Sequence, residues 1–162
     1  MENVIRIYTD GAASGNPGPG GLGVVLLFGA KKKELARGFR MTTNNRMELL
    51  AVITALEALK TDTYPIQIYS DSKYVTEAIN QGWLFNWEKN QFDKKANPDL
   101  WIRFLPLYRK FKPRFIWVKG HADNVYNNRC DELAVAAYKQ KTLEIDSAFE
   151  RTQASTKGLM NL

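Results

Sequence analysis

The stretch Ile5-Arg6-Ile7-Tyr8-Thr9-Asp10-Gly11, running on through Ala12-Ala13-Ser14-Gly15-Asn16-Pro17-Gly18-Pro19-Gly20-Gly21, constrains the fold more than any other part of the chain. Residues 4–9 have strong strand propensity. The run stops on a carboxylate, and glycines follow that let the backbone turn tightly and approach a ligand closely. An aspartate at the carboxyl end of a central strand stands where α/β folds place their chemistry. Taken alone, Asp10 fits an ordinary Asx-turn equally well. The rest of the chain has to decide between the two.

Residues 22–28 read as a second strand, Lys31-Lys32-Lys33 as a solvated hairpin turn and residues 34–41 as a third strand, which together make an antiparallel meander. The period then changes. Over residues 45–60, Leu49, Val52, Ile53, Leu56 and Leu59 recur at helical spacing, and Asn45 with Glu48 matches an N-terminal capping pattern. A fourth strand over residues 66–70 ends on Asp71, and a helix over residues 72–81 is stopped by Gly82. Residues 83–98 read as irregular, with Trp83, Phe85, Trp87 and Phe92 interleaved with Lys89, Lys94 and Lys95. A helix over residues 99–110, bent at Pro106, leads to a fifth strand over residues 115–118, a loop at residues 120–123 and a helix over residues 128–140. This is one α/β domain over residues 1–142. Residues 143–162 form a C-terminal tail whose Leu143, Ile145 and Phe149 are too sparse for a second core.

Charge narrows the partners. The 162-residue chain carries a net charge of +6 and a pI near 9.4, which suits a polyanion. Cys130 is the single cysteine, so no internal disulfide forms and a reducing, cytoplasmic setting fits. No apolar run reaches membrane-spanning length and the N-terminus has no signal-type apolar core, so no membrane role is expected.

Four acidic residues sit where the chain changes direction. Asp10 and Asp71 each end a predicted strand, and Glu48 and Asp131 each fall in the first turn of a predicted helix. Adjacent strands would bring the two aspartates side by side, with a helix start above them adding Glu48. Clustered carboxylates raise one another's pKa unless cations sit between them. An all-oxygen set without paired histidines selects Mg²⁺ or Mn²⁺ over zinc. Two such ions roughly 4 Å apart clamp the attacking and leaving oxygens of a phosphodiester. Singly, Glu48 fits a capping box and Asp131 a helix-dipole partner. The four together, in a basic chain with an aromatic-basic segment, favour metal-dependent phosphodiester chemistry.

The blocks Tyr8-Thr9-Asp10-Gly11, Gly15-Asn16-Pro17-Gly18-Pro19-Gly20-Gly21, Thr42-Thr43-Asn44-Asn45-Arg46-Met47-Glu48-Leu49, Ser70-Asp71-Ser72, Trp117-Val118-Lys119-Gly120-His121 and Asn128-Arg129-Cys130-Asp131-Glu132-Leu133-Ala134 resemble bacterial type 1 ribonuclease H, in order from about Val4 to Lys141. The resemblance implies a ribonuclease H-like fold, with a five-stranded mixed sheet of three antiparallel and two parallel strands flanked by helices. It implies an endonuclease that hydrolyses the RNA strand of RNA–DNA hybrids by two-metal-ion catalysis and leaves 5′-phosphate and 3′-hydroxyl ends. It makes Asp10, Glu48, Asp71 and Asp131 the ligands of two Mg²⁺ ions, with Mn²⁺ a substitute, and His121 the loop histidine that moves protons or aids product release. A monomer is expected.

Asn16, Thr43, Asn44 and Asn45 fall on predicted loops beside the acidic cluster, where short amides and hydroxyls can read the RNA 2′-hydroxyl or a phosphate or simply make turns and caps. By resemblance, Asn16, Asn44, Asn45 and the backbone near Gly11 touch the hybrid minor groove, Thr43 and Asn97 hold a DNA phosphate, and Trp83 and Trp87 line the DNA-strand channel. Two departures bear on DNA grip. The basic protrusion is short and includes Glu88 and Asp93, and Met41 stands where a phosphate-pocket arginine is expected. Arg40, beside it, points to the other face by strand alternation. A catalytically idle binding module would lack one of the carboxylates, and none is missing. A DNA-cutting nuclease of the same superfamily would carry an assembly domain, for which the chain offers no sequence.

Overall fold

The structure is a computed structural model that describes residues 3–120 and 123–160, with side chains up to residue 155. Strands β1 (Ile5–Ala13), β2 (Gly18–Phe28) and β3 (Lys31–Thr42) form the antiparallel meander, and β4 (Ile66–Ser70) and β5 (Arg114–Trp117) add in parallel beside β1. The order across the sheet is β3-β2-β1-β4-β5, the mixed sheet of three antiparallel and two parallel strands expected from the resemblance. Helix α1 (Asn44–Glu57) packs on one face with α4 (Pro98–Phe111) behind it, and α5 (Val125–Tyr138) crosses the other face over β1, β2 and β3. Helices α2 (Lys73–Asn80), α3 (Trp83–Lys89) and α6 (Ser147–Met160) complete the chain. No helix among the described residues is long and apolar enough to cross a membrane.

The pleat explains how both helices come so close. Successive side chains of a strand point to opposite faces. Gly20 lies under Met47 of α1, while Gly21 and Gly23 lie under the Ala134 and Cys130 carbonyls of α5. A Cβ at Gly21 or Gly23 would overlap those carbonyl oxygens, so α5 rests almost directly on the strand backbone. On the other face Ile7, Leu22, Val24 and Ile68 meet Leu49, Ile53 and Leu56 of α1, all fully buried. Trp101 and Phe104 of α4 close the layer behind.

Several boundaries differ from the sequence expectation, each for a local reason. β1 does not end at Thr9: Asp10 pairs with Gly23 and the strand runs to Ala13, because the neighbouring glycines carry the ladder rather than a turn. Lys31-Lys32-Lys33 opens β3, and the hairpin turn falls at Gly29-Ala30, where Gly29 adopts φ 58°. The N-cap of α1 is Thr43, whose side chain accepts from Arg46 N at 3.2 Å, so Glu48 sits in the second turn rather than the first. Helix α5 begins at Val125, with Asn124 as its cap, which places Asp131 beyond the first turn as well. The segment expected to be irregular contains α3, and the chain after it takes left-handed turns at Gln91, Phe92, Lys94 and Asn97 that tuck Phe92 into the core.

The residues beyond 142 are tied to the sheet edge. Glu144 N donates to Gly38 O at 2.8 Å and Arg40 N to Glu144 O at 3.0 Å, extending β3 by one bridge. Exposed pairs Arg37–Glu144 and Arg40–Glu150 flank it. Asp146 is buried and takes Arg46 Nε and Nη2 at 2.7 and 2.9 Å and Thr42 Oγ1 at 2.8 Å.

Candidate active site

The register Thr9↔Ser70 between parallel neighbours β1 and β4 sets the next residues, Asp10 and Asp71, side by side. Glu48 reaches them because Gly11 has no side chain: a Cβ there would overlap the Glu48 nitrogen and the Met47 carbonyl carbon. The same glycine orients two of the carboxylates. Gly11 N donates to Asp10 Oδ1 at 3.0 Å and to Glu48 Oε1 at 2.9 Å. One carboxylate oxygen from each of Asp10, Glu48 and Asp71 lies within 4.8 Å of the others. Asp131 comes from α5 on the far face and lines the same cleft of about 470 Å³, together with Gly11, Asn44, Asn45, Ser72 and Tyr74.

Burial makes this cluster costly in the absence of a cation. Asp10 and Glu48 are only 5% and 8% exposed. Desolvation pushes Asp10 up to about 7, opposed by its bond to Glu48 and reinforced by the negative charges of Asp71 and Asp131. Glu48 is raised well above the carboxylate range, first by burial and then by Asp10. Its Oε2 is buried without a hydrogen-bond partner among the described residues. An orphaned oxygen on a glutamate clustered with two further carboxylates, all hard oxygen donors, fits a divalent cation. Such an ion supplies the partner Glu48 lacks and offsets the mutual repulsion.

The amides expected to contact substrate lie around this cleft. Asn44 and Asn45 form its wall at the start of α1, and Asn16 Oδ1 accepts from Asn44 N at 3.2 Å, which ties the β1–β2 turn to the helix. Thr43 is the α1 cap, and so does structural work too. Asn97 is held by Arg46 and Tyr74. Trp83 and Trp87, on one face of α3, line a second groove with Tyr74 and Lys95, whose ammonium lies 5.2 Å from the Trp87 ring centre. Met41 is half-buried, and the neighbouring Arg40 guanidinium is paired in two-pronged fashion with Glu150 at 3.0 and 2.8 Å. Glu88 of the protrusion is engaged by Arg109 at 2.6 Å. His121 lies outside the described residues. Gly120, just before it, lies against Asp71, where a Cβ would press on Oδ2.

Two residues at the site escaped the sequence reading. Arg46 is 3% exposed and bonds Asn97, Asp99 and Asp146 at once. Tyr74 lines both grooves. A lone arginine and a tyrosine in helical first turns carry no spacing signal, and the partners of Arg46 stand 51 to 100 residues away.

Known proteins share this architecture. The sequence model of the family described as RNase H matches residues 2–139. A ribonuclease H of Desulforamulus reducens is 53% identical over 147 residues, covering 88% of this chain and 92% of its own. A ribonuclease HI of Synechocystis is 45% identical over 153 residues, covering 91% and 95%. Among solved structures, LC9-RNase H1, described as a type 1 enzyme with the type 2 active-site motif, is similar with a TM-score of 0.78 at 26% identity, covering 88% of this chain and 75% of that one. LC11-RNase H1 in complex with an RNA/DNA hybrid is similar with a TM-score of 0.65 at 27% identity, covering 83% and 96%. The family match spans both β1 with its aspartate and the α5 helix that closes the cleft from the other face, and on that ground the chain belongs to the RNase H family.

Proposed function

We propose that this protein hydrolyses the RNA strand of RNA–DNA hybrids endonucleolytically, leaving 5′-phosphate and 3′-hydroxyl ends. As a member of its family it is an endoribonuclease, a phosphodiester hydrolase. The observation that carries the reading is the convergence of Asp10, Glu48 and Asp71 from three separate elements to within 4.8 Å, with one glutamate oxygen unpartnered. Asp10, Glu48, Asp71 and Asp131 would hold two divalent cations, Mg²⁺ by the hardness of the donor set, which when bound supply an activated water and stabilise the departing 3′-oxygen. The Gly11 amide keeps the Asp10 and Glu48 carboxylates aimed into the cleft. Asn16, Asn44 and Asn45 present short amides at the cleft rim, suited to successive 2′-hydroxyls of the RNA strand. Trp83, Trp87 and Lys95 offer the DNA strand an aromatic wall with a positive charge beside it, and Thr43 and Asn97 a phosphate contact. His121 exchanges protons where cation-held carboxylates cannot. The catalytic domain spans residues 1–142, and residues 143–162 carry none of these groups.

A labelled hybrid incubated with and without Mg²⁺, beside duplex DNA and duplex RNA, tests this directly. Asp10→Asn should abolish cleavage while hybrid binding survives, because the amide keeps the shape and loses the charge that holds the ions. Near-normal cleavage by that variant in Mg²⁺ would sink the reading.

A further inference from the structure

Helix α5 covers only part of the sheet face it lies on. It crosses β1, β2 and β3, while α1 and α2 pack on the opposite face. Ile66, Ile68 and Phe115 point to that filled side and are buried. The alternating residues of β4 and β5 point the other way. Of these, Gln67, Tyr69 and Ile116 are half-buried and Arg114 is exposed. The register aligns them with β1 in two rows. Arg6 pairs with Gln67 and Gln67 with Arg114, while Tyr8 pairs with Tyr69 and Tyr69 with Ile116. The rows stand about 7 Å apart, two residues along the strand. Neither row contains a carboxylate.

The second row is a stack with one open end. Tyr8 and Tyr69 lie ring on ring, with centroids 4.7 Å and planes 12° apart, and Tyr126 of α5 closes on Tyr8 at 5.1 Å. Tyr69 Oη donates to Gln67 Oε1 at 2.8 Å, which holds the ring. One face of Tyr69 is thus covered by Tyr8, and the other looks toward β5, where the opposing residue is only Ile116. Arg114, in the neighbouring row, has no hydrogen bond or ion pair among the described residues. A flat ring with a phosphate attached fits this pair of rows: the ring continues the stack and the anion meets the guanidinium. The bases of a duplex are stacked on one another and cannot lie on Tyr69, so the occupant is an unpaired strand. Its source follows from position. Tyr8 and Tyr69 stand two residues before Asp10 and Asp71 on the same strands, and Tyr126 and Asp131 share α5. A strand leaving the carboxylate cleft on the α5 side runs onto these rows.

We propose that the open half of the sheet at Tyr69, Ile116 and Arg114 is a docking site for single-stranded DNA or RNA that continues from a bound hybrid, one unpaired base extending the tyrosine stack and an adjoining phosphate meeting Arg114. The inference rests on the hybrid-cleaving function and adds to it a preference for hybrids with unpaired ends.

Fluorescence anisotropy, with EDTA to hold back cleavage, compares a blunt RNA–DNA hybrid with the same hybrid carrying an unpaired DNA or RNA extension at either end. An extension should tighten binding about fivefold or more, the worth of one stacked base. Tyr69→Leu keeps an apolar cover and removes the flat ring. It should abolish most of that gain while binding of the blunt hybrid stays within about twofold. Arg114→Gln, at an exposed position, should lower the gain and reduce its salt dependence by about one phosphate, which keeps the test open if Tyr69→Leu folds poorly. An extension of abasic units should gain little, and that little should depend on Arg114 alone. A gain with DNA only or with RNA only supports the site and names the strand it takes. Equal binding of blunt and extended hybrids, or a full gain surviving in both variants, would overturn the proposal. Cleavage in Mg²⁺, followed alongside, keeps the two readings apart. Cutting without any gain overturns only this inference, and a gain lost in Tyr69→Leu without any cutting overturns only the function.

Discussion

Asp146→Ala should lower stability far more than its place in a C-terminal tail implies. The carboxylate is 8% exposed and accepts from Arg46 Nε at 2.7 Å, Arg46 Nη2 at 2.9 Å and Thr42 Oγ1 at 2.8 Å. Arg46 itself is 3% exposed. Removing one partner of a buried ion pair costs about 3–5 kcal/mol, mostly through the charge left behind. Here Asp99 still accepts from Arg46 at 2.9 and 2.7 Å, so the low end, about 3 kcal/mol, is expected. In a chain of this size each kcal/mol moves the midpoint about 2–4 °C, giving a fall of roughly 6–12 °C. Thermal melts followed by circular dichroism measure it, with kcat at room temperature as the control. The kcat should hold within about twofold, because Asp146 does not line the cleft. Removing residues 143–162 should behave alike, since the extra pairs lost, Arg37–Glu144 and Arg40–Glu150, are exposed and worth about 0–1 kcal/mol each. Arg46→Met with Asp146→Leu should recover part of the loss, because the two buried charges leave together and the one left behind, Asp99, is 39% exposed to water. A fall below about 2 °C for Asp146→Ala, or a double variant no better than the single, would refute the reasoning.

Three further outcomes are expected. In EDTA the protein should lose stability as pH rises: Asp10 titrates near 7 in the folded state against an ordinary 3.8, so its contribution is complete below the lower value and gone above the higher. Urea midpoints at about pH 5.5 and 8 should therefore fall with pH without Mg²⁺ and much less with it, and a flat profile in EDTA would count against a buried proton at Asp10. His121→Ala should lower kcat roughly ten- to a hundredfold with little change in KM, at or below the low end for one acid–base group, and an unchanged kcat would make His121 an ordinary loop residue. A DNA strand with a single ribonucleotide should be cut poorly and a run of several well, because Asn16, Asn44 and Asn45 are placed to read successive 2′-hydroxyls, and equal rates would contradict this.

The sequence made the sheet and the acidic cluster legible because both rest on local signals: strand propensity in β1, helical spacing in α1, and ordered motif blocks around Asp10, Glu48, Asp71 and Asp131. Where it failed, tertiary context decided. The lysines at 31–33 look like a turn, yet their neighbours Gly29-Ala30 supply a cheaper one. Thr43, two residues before Asn45, caps α1 by accepting from Arg46 N. Arg46 in an apolar helix, with partners Asp99 and Asp146 on distant segments, cannot be paired without knowing the fold. The same holds for Tyr74, whose value comes from Trp101 and Asn97 arriving beside it.

The glycines under α5 act as a gauge. What fixes the height of that helix above the sheet is a set of absent atoms at Gly21 and Gly23, and Asp131 rides on the same rigid rod, one residue beyond the Cys130 carbonyl that Gly23 receives. The gap between the fourth carboxylate and the other three is thus machined into β2 and not into the cleft. A single methyl added at Gly23 would act as a shim, spreading the jaws of the site from beneath while leaving every jaw surface untouched. Spacing and chemistry are encoded by different residues, so either can be adjusted while the other stands still.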